Sequence, residues 1–113
     1  MLETVDEIQE ILNQINEMPY GKNYANRHSL PANPYHYGRY VDKLINVLID
    51  FRSNGGDVSL CKIDELRSIR DNDVNKLITD YNSLKNKSLD IINYDMEKVS
   101  VRINCIVECI LKS

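Results

Sequence analysis

Residues 33–57, NPYHYGRYVDKLINVLIDFRSNGGD, carry the signals that start and stop a helix. Asn33 followed by Pro34 is typical of a helix cap and first helical residue. In the next turns the apolar side chains recur every three or four positions, which gives a helix one apolar stripe. At the end, Gly55 and Gly56 supply the positive φ that a helix C-cap needs. The stretch predicts a helix from Pro34 to about Ser53, a turn over residues 53–57, and a helical hairpin.

Gly38 interrupts the first turns of this predicted helix. A glycine inside a helix costs about 1 kcal/mol relative to alanine. Such a residue is tolerated where a neighbouring element has to come close. We therefore expect a close neighbour at Gly38.

The chain before this hairpin predicts one more helix and a loop. From Leu2 to Met18 the apolar residues keep helical spacing, acidic residues occupy the first turns, and Pro19 ends the pattern. Residues 19–33 contain Leu30-Pro31 and the Asn33-Pro34 pair, and residues before proline are pushed away from helical geometry. This indicates an ordered loop rich in Tyr, Pro and His after helix 1.

The chain after the hairpin predicts two or three further helices. Ser59 is a suitable cap for a third helix, and the polar run 71–73 suggests a break. The apolar spacing then slips out of phase between Leu84 and Leu89, which favours a second break near 85–88 with Ser88 as a cap. The alternative is one continuous helix over 73–112, about 60 Å long, projecting into an oligomer.

Residues 98–112 have two interpretations, because their β-branched side chains also alternate as in a strand. No other stretch offers a partner strand, so we interpret the segment as helix unless two copies pair across a dimer. The chain is therefore predicted to be a single all-α domain over 1–113, a small bundle of four to five helices.

Composition restricts the location of the protein. The 113 residues include no apolar run near the roughly 20 residues of a membrane span, and the first residues do not resemble a secretion signal. Three cysteines, an odd number, argue for reduced thiols. We expect a cytoplasmic protein with no membrane partner. The abundance of Asn, Ile, Lys and Tyr is typical of A/T-rich genomes, including those of phages, in which case the location is the host cytoplasm.

Residues 19–40, here called the basic aromatic segment, differ from the rest of the chain. They hold five of the seven tyrosines, both histidines and three cations without a carboxylate, so their charge is +3 while the whole chain carries −3. Such asymmetry usually concerns a partner and not the fold. The residues predicted to bind are Tyr20, Lys22, Tyr24, Arg27, His28, Tyr35, His36 and Arg39.

Three interpretations of this segment remain open. Tyrosine and arginine are typical of protein interfaces, so we favour a non-enzymatic interaction protein, such as an inhibitor or immunity factor of phage or mobile-element type. The alternative is a protein that sequesters small or cyclic nucleotides, with the cations on phosphates and a ring on the base. In the third, the tyrosines only pack the loop onto the helices. Three cations in an acidic chain exclude duplex DNA as a partner.

No pattern of residues indicates a catalytic site, and we expect neither an enzyme nor a cofactor. Cys105 and Cys109 share a helix face and two thiolates there can bind a metal with His28 or His36, but isolated cysteines are more often small core residues. We therefore predict no metal site. The apolar side chains from Leu89 to Leu111 run almost all round their helix, which one small bundle does not cover, so we expect a homo-oligomer.

Overall fold

A computed structural model describes residues 2–19, 33–83 and 89–112, and every regular element in them is helical. The predicted all-α bundle is confirmed, and the described residues contain no strand. The elements are α1 (Leu2–Glu17), α2 (Pro34–Ser53), α3 (Leu60–Ser68), a π-helical segment (Ile69–Val74), α4 (Asn75–Asn82) and α5 (Leu89–Lys112).

The signals around α2 act as predicted. The Asn33 Oδ1 accepts a hydrogen bond from the Tyr35 amide at 2.9 Å, so Asn33 caps the helix. At the other end, Gly55 has φ +98° and donates its amide hydrogen to the Arg52 carbonyl, while Gly56 donates to the Phe51 carbonyl. These two bonds form a Schellman motif. Ser59 then caps α3 by accepting a hydrogen bond from the Lys62 amide.

The predicted break at 71–73 is wrong, because α3, the π-helical segment and α4 continue into one another. The polar side chains there bond within the helix and do not cap it. Asn72 donates to the Ser68 hydroxyl, and Asn75 donates to the Asp71 carbonyl at 2.7 Å. Since Ile69 and Val74 on either side are buried, the chain stays packed and widens into a π-helical turn.

The alternatives for the C-terminal third are resolved in favour of two helices. α4 ends at Asn82, because Ser83 has a non-helical backbone (φ −101°, ψ 15°), so one continuous helix over 73–112 is wrong. Residues 84–88, with the predicted Ser88 cap, lie outside the described residues. The strand interpretation of 98–112 is also wrong, since these positions belong to α5.

The helices pack as a square. α2 and α5 each pack against α1 and against the rod formed by α3, the π-helical segment and α4, while α2 and α5 face each other across the diagonal. The core between them is almost entirely aliphatic. Among the described residues, the Tyr37 hydroxyl lies 2.6 Å from the Ser100 Oγ across this core, and Asn16 pairs with Asn104 between α1 and α5.

Gly38 has the close neighbour that the sequence predicts. A Cβ at this position would lie 3.2 Å from the Val74 Cγ1, tighter than ordinary van der Waals contact. The missing side chain therefore lets α2 approach the π-helical segment. In the described parts of the chain, no helix is long and apolar enough to cross a membrane.

Candidate functional site

The structure describes three of the eight predicted binding residues. Tyr35, His36 and Arg39 occupy the first two turns of α2 and are exposed. The other five predicted residues lie outside the described residues: Tyr20, Lys22, Tyr24, Arg27 and His28. The site is therefore built here from the start of α2 and the elements packed beside it.

The helical twist of α2 points its tyrosines in different directions, so they differ in burial. Tyr37 points into the core with no exposed surface, whereas the side chain of Tyr35 is 47% exposed. Tyr40 is half-buried, and the Lys43 amino group lies 5.8 Å from its ring centroid. Tyr37 therefore belongs to the core of the bundle and Tyr35 to the surface of α2. Because Tyr37 fixes the rotation of α2, Tyr35, His36 and Arg39 are held outward.

A shallow groove of about 470 Å³ runs beside these residues, between α2 and the rod. Gly38 and Val74 form its closest approach, and half-buried Ile78 adds apolar surface. We call it the α2–rod groove. Its lining is Tyr35, Gly38, Arg39, Asp42, Arg70, Asp71, Val74, Asn75 and Ile78.

The two arginines of the α2–rod groove differ in their ion-pair partners. The Arg70 guanidinium contacts the Asp71 carboxylate at 3.0 Å and the Asp42 carboxylate at 3.1 Å. The hydrogen bond to Asp71 raises the pKa of Arg70; burial opposes this rise, and the hydrogen bond to Asp42 adds to it. Arg39 has no ion-pair partner among the described residues. With two arginines and two aspartates, the groove is neutral as a whole and Arg39 is its one uncompensated cation.

Tyr35 is positioned by its hydroxyl as well as by its helix. The Asn82 Nδ2 donates a hydrogen bond to the Tyr35 hydroxyl at 2.8 Å, which links the start of α2 to the last residue of α4. The Tyr35 ring therefore stands at one end of the groove with part of its surface in solvent. Arg39 follows one turn later, so the Tyr35 ring lies on the groove rim beside a guanidinium that no carboxylate of the described ranges contacts.

Sequence reasoning did not identify half of this groove. Asp71 was expected only to mark a helix break, and Asp42, Arg70 and Asn75 carry no signal that singles them out. Only the packing of α2 against the π-helical segment brings them beside Arg39. No local signal in the sequence contains this information, because the groove joins positions about thirty residues apart.

The cysteines are not where the sequence predicted them. Cys61, Cys105 and Cys109 are all exposed and none forms a disulfide, so the interpretation of Cys105 and Cys109 as core residues is wrong. In α5 the residues that turn inward are Ile103 and Val107, which leaves the thiols of Cys105 and Cys109 on the outer side. Within the described ranges, no three His, Cys, Asp or Glu side chains are grouped so that they could hold a metal ion.

A second groove, of about 360 Å³, separates α4 from α5. Its charged residues are largely paired with each other: Arg102 contacts Asp73 at 2.7 Å and Lys76 contacts Asp80 at 3.5 Å. The first pair joins α5 to the π-helical segment and the second lies within α4, so this groove offers a ligand less uncompensated charge than the α2–rod groove does.

No known protein family matches the chain, and no curated protein or solved structure is significantly similar to it.

Proposed function

We propose that this chain is a non-enzymatic interaction protein, of the inhibitor or immunity type carried by phages and mobile elements, that binds a partner protein through the basic aromatic segment. One observation carries the proposal. Exposed Tyr35 and uncompensated Arg39 lie one helical turn apart on the rim of a groove that is otherwise neutral and partly apolar.

The chemistry of this rim suits a protein partner. Tyrosine offers a large, rigid ring and a hydroxyl, and arginine offers a forked donor for carboxylates, which is why both residues dominate the energy of protein interfaces. The hydrogen bond from Asn82 already holds the Tyr35 side chain, and the core packing of Tyr37 fixes the backbone that carries Arg39. A partner would therefore lose little entropy in ordering Tyr35, while Arg39 would gain its order from the carboxylate that it binds. The matching surface would present a carboxylate to Arg39 and an apolar side chain to the groove.

A small nucleotide is the second candidate, since the Tyr35 ring beside Arg39 can stack on a base while the guanidinium binds a phosphate. The groove supports this candidate less well. Its second cation, Arg70, is occupied by Asp42 and Asp71, and a phosphate there would meet two carboxylates. A nucleotide site would depend on Lys22 and Arg27 for further positive charge.

The experiment separates the two candidates with one set of variants. Arg39→Ala and Tyr35→Ala remove the rim residues, and Asn46→Ala changes an exposed residue farther along α2 as a matched control. Each protein is used as bait in extracts of cells that naturally contain the chain, and titrated with mono-, di- and cyclic nucleotides by calorimetry and thermal shift. We expect a captured protein that Asn46→Ala retains and both rim variants lose.

Two results would contradict the proposal. The first is a captured protein that all four baits retain equally, which would place the interface elsewhere. The second is a nucleotide that stabilises the wild type and not Arg39→Ala. At 100 times its dissociation constant, such a ligand adds about 2.7 kcal/mol to the free energy of unfolding, which a thermal shift detects easily.

A further inference from the structure

The outer side of α5 carries a row of apolar and charged side chains that nothing in the described chain covers. Val101 is 58% exposed and Tyr94 is 53% exposed, although both are large apolar residues. The Lys98 amino group lies 4.8 Å from the Tyr94 ring centroid, and the Cys105 side chain is also exposed. This side lies opposite the buried residues Met96, Ile103 and Val107 and hence opposite the core.

Six of the exposed residues of α5 follow the spacing of a coiled-coil seam; Ile91, Arg102 and Cys109 are also exposed and lie outside this set. Steps of four, three, four, three and four residues connect the six, and this alternation keeps a seam facing one partner helix. The seam is about 27 Å long from end to end. Its six members, called here the α5 seam, are Tyr94, Lys98, Val101, Cys105, Glu108 and Lys112.

When two copies of the α5 seam run in opposite directions, the order of their charges is complementary. When two seams run antiparallel and the two-fold axis crosses them at the level of Ile103, Val101 of each copy meets Cys105 of the other. In the same register, Lys98 meets Glu108, and the Lys112 ammonium meets the Tyr94 ring. In a parallel pair Lys98 would instead meet Lys98, and Glu108 would meet Glu108. Charge complementarity therefore selects the antiparallel arrangement.

We propose that the occupant of the α5 seam is the α5 seam of a second copy of this chain, antiparallel and in this register. The pairing is isologous, as closed two-fold dimers require. A single pair of helices this short buries an area at or below the lower end of stable interfaces, about 1,200 Å² in total. The dimer is accordingly weak, with a dissociation constant in the micromolar range or above. It leaves the start of α2 free, so it stands or falls separately from the proposed function.

Charge reversal tests the pairing in solution. Sedimentation equilibrium of the full chain from about 10 μM to 1 mM gives the dissociation constant of the dimer. Lys98→Glu alone and Glu108→Lys alone each place like charges in both symmetric contacts, and we expect each to weaken dimerisation about tenfold. The double variant restores opposite charges, and we expect it to recover the wild-type value. Asp50→Lys, on α2, is the control for a change of net charge.

Cross-linking tests the register. With Cys61→Ser and Cys109→Ser, Cys105 is the one remaining thiol, and mild oxidation links two copies through it only if the two Cys105 positions face each other, as in a parallel pair and not in the proposed register. Adding Val101→Cys places a thiol opposite Cys105 of an antiparallel partner. We expect no covalent dimer from the first protein, and from the second a dimer whose peptides join position 101 to position 105 of different chains.

The proposal is overturned by a monomer at every concentration, by a dimer insensitive to Lys98→Glu, or by failure of the double variant to recover dimerisation. It is also overturned by cross-linking through Cys105 alone. Capture of another protein by the α5 seam, with no self-association, would assign the seam to a different occupant.

Discussion

The Tyr37 hydroxyl lies 2.6 Å from the Ser100 Oγ and so joins α2 to α5 across the diagonal of the bundle. The same hydroxyl lies 3.4 Å from the Met96 carbonyl oxygen. Tyr37 and Ser100 are both buried, and no buried side-chain N or O atom in the described residues lacks a hydrogen-bond partner. Tyr37 sits between the exposed residues His36 and Arg39, so the contact that closes the core also sets the direction of the proposed binding surface.

Removing this hydroxyl should weaken the fold without changing its shape. Tyr37→Phe keeps the ring and loses the bonds to Ser100 and Met96, which costs about 1 kcal/mol and more if the Ser100 hydroxyl is left unsatisfied. Urea unfolding followed by circular dichroism measures the loss. Tyr40→Phe is the control, because the Tyr40 hydroxyl has no hydrogen-bond partner among the described residues. Equal losses in the two variants would refute a special role for Tyr37.

The same tyrosine should make the fold sensitive to alkali. Burial raises the pKa of Tyr37, and the hydrogen bond to Ser100 opposes this only in part. The folded state therefore favours the neutral phenol. Its contribution to stability is complete below the ordinary tyrosine pKa of about 10 and is lost as the pH rises above that value toward the folded-state pKa. Unfolding free energies between pH 8 and 11.5 should fall less steeply for Tyr37→Phe than for the wild type; parallel slopes would contradict this.

The two glycines of the turn after α2 should differ in how well they tolerate substitution by alanine. A Cβ at Gly56 would lie 2.7 Å from atoms of the Phe51 ring, which is held in the core, whereas a Cβ at Gly55 meets nothing. Gly55→Ala suffers the backbone cost of positive φ, about 1 kcal/mol. Gly56→Ala forces repacking of the ring, which costs about 1 to 3 kcal/mol. Thermal unfolding should rank Gly56→Ala as the less stable variant, and the reverse order would contradict the packing described.

The Asn16 and Asn104 side chains should be energetically coupled. Their amides form a reciprocal pair between α1 and α5, and Asn104 also donates to the Ser100 carbonyl. Either single change to alanine leaves the other amide half-buried without its partner, at about 1 to 2 kcal/mol. The double variant removes both amides, so its loss should be smaller than the sum of the single losses. Strict additivity in urea unfolding would show that the pair does not interact.

Local rules predicted the fold well where the signal lies within a few residues. Asn33, Gly55 and Ser59 perform the capping roles that their positions indicate, and the stripe of α2 is buried as expected. The prediction failed at 71–73, because polar side chains that favour a cap can equally bond within a helix whose apolar neighbours are buried. Capping preference alone does not determine whether such side chains end a helix or bond within a helix that continues.

The candidate site was predictable only in part, for a different reason. The outward direction of Tyr35 and Arg39 follows from the helical period once Tyr37 joins the apolar stripe. The neutralisation of Arg70 by Asp42 depends on how two helices pack, which no window of sequence contains. The cysteines of α5 were misplaced because the general preference of cysteine for the core does not say which face of a particular helix carries the thiol.

The most direct measurement of the proposed function is quantitative capture of binding proteins by the wild type, Arg39→Ala, Tyr35→Ala and Asn46→Ala, with each bait first shown to be folded. The expected result is a protein bound by the wild type and Asn46→Ala and lost with either rim variant. Equal capture by all four baits, or a nucleotide whose binding requires Arg39, would contradict the assignment of this surface to a protein partner.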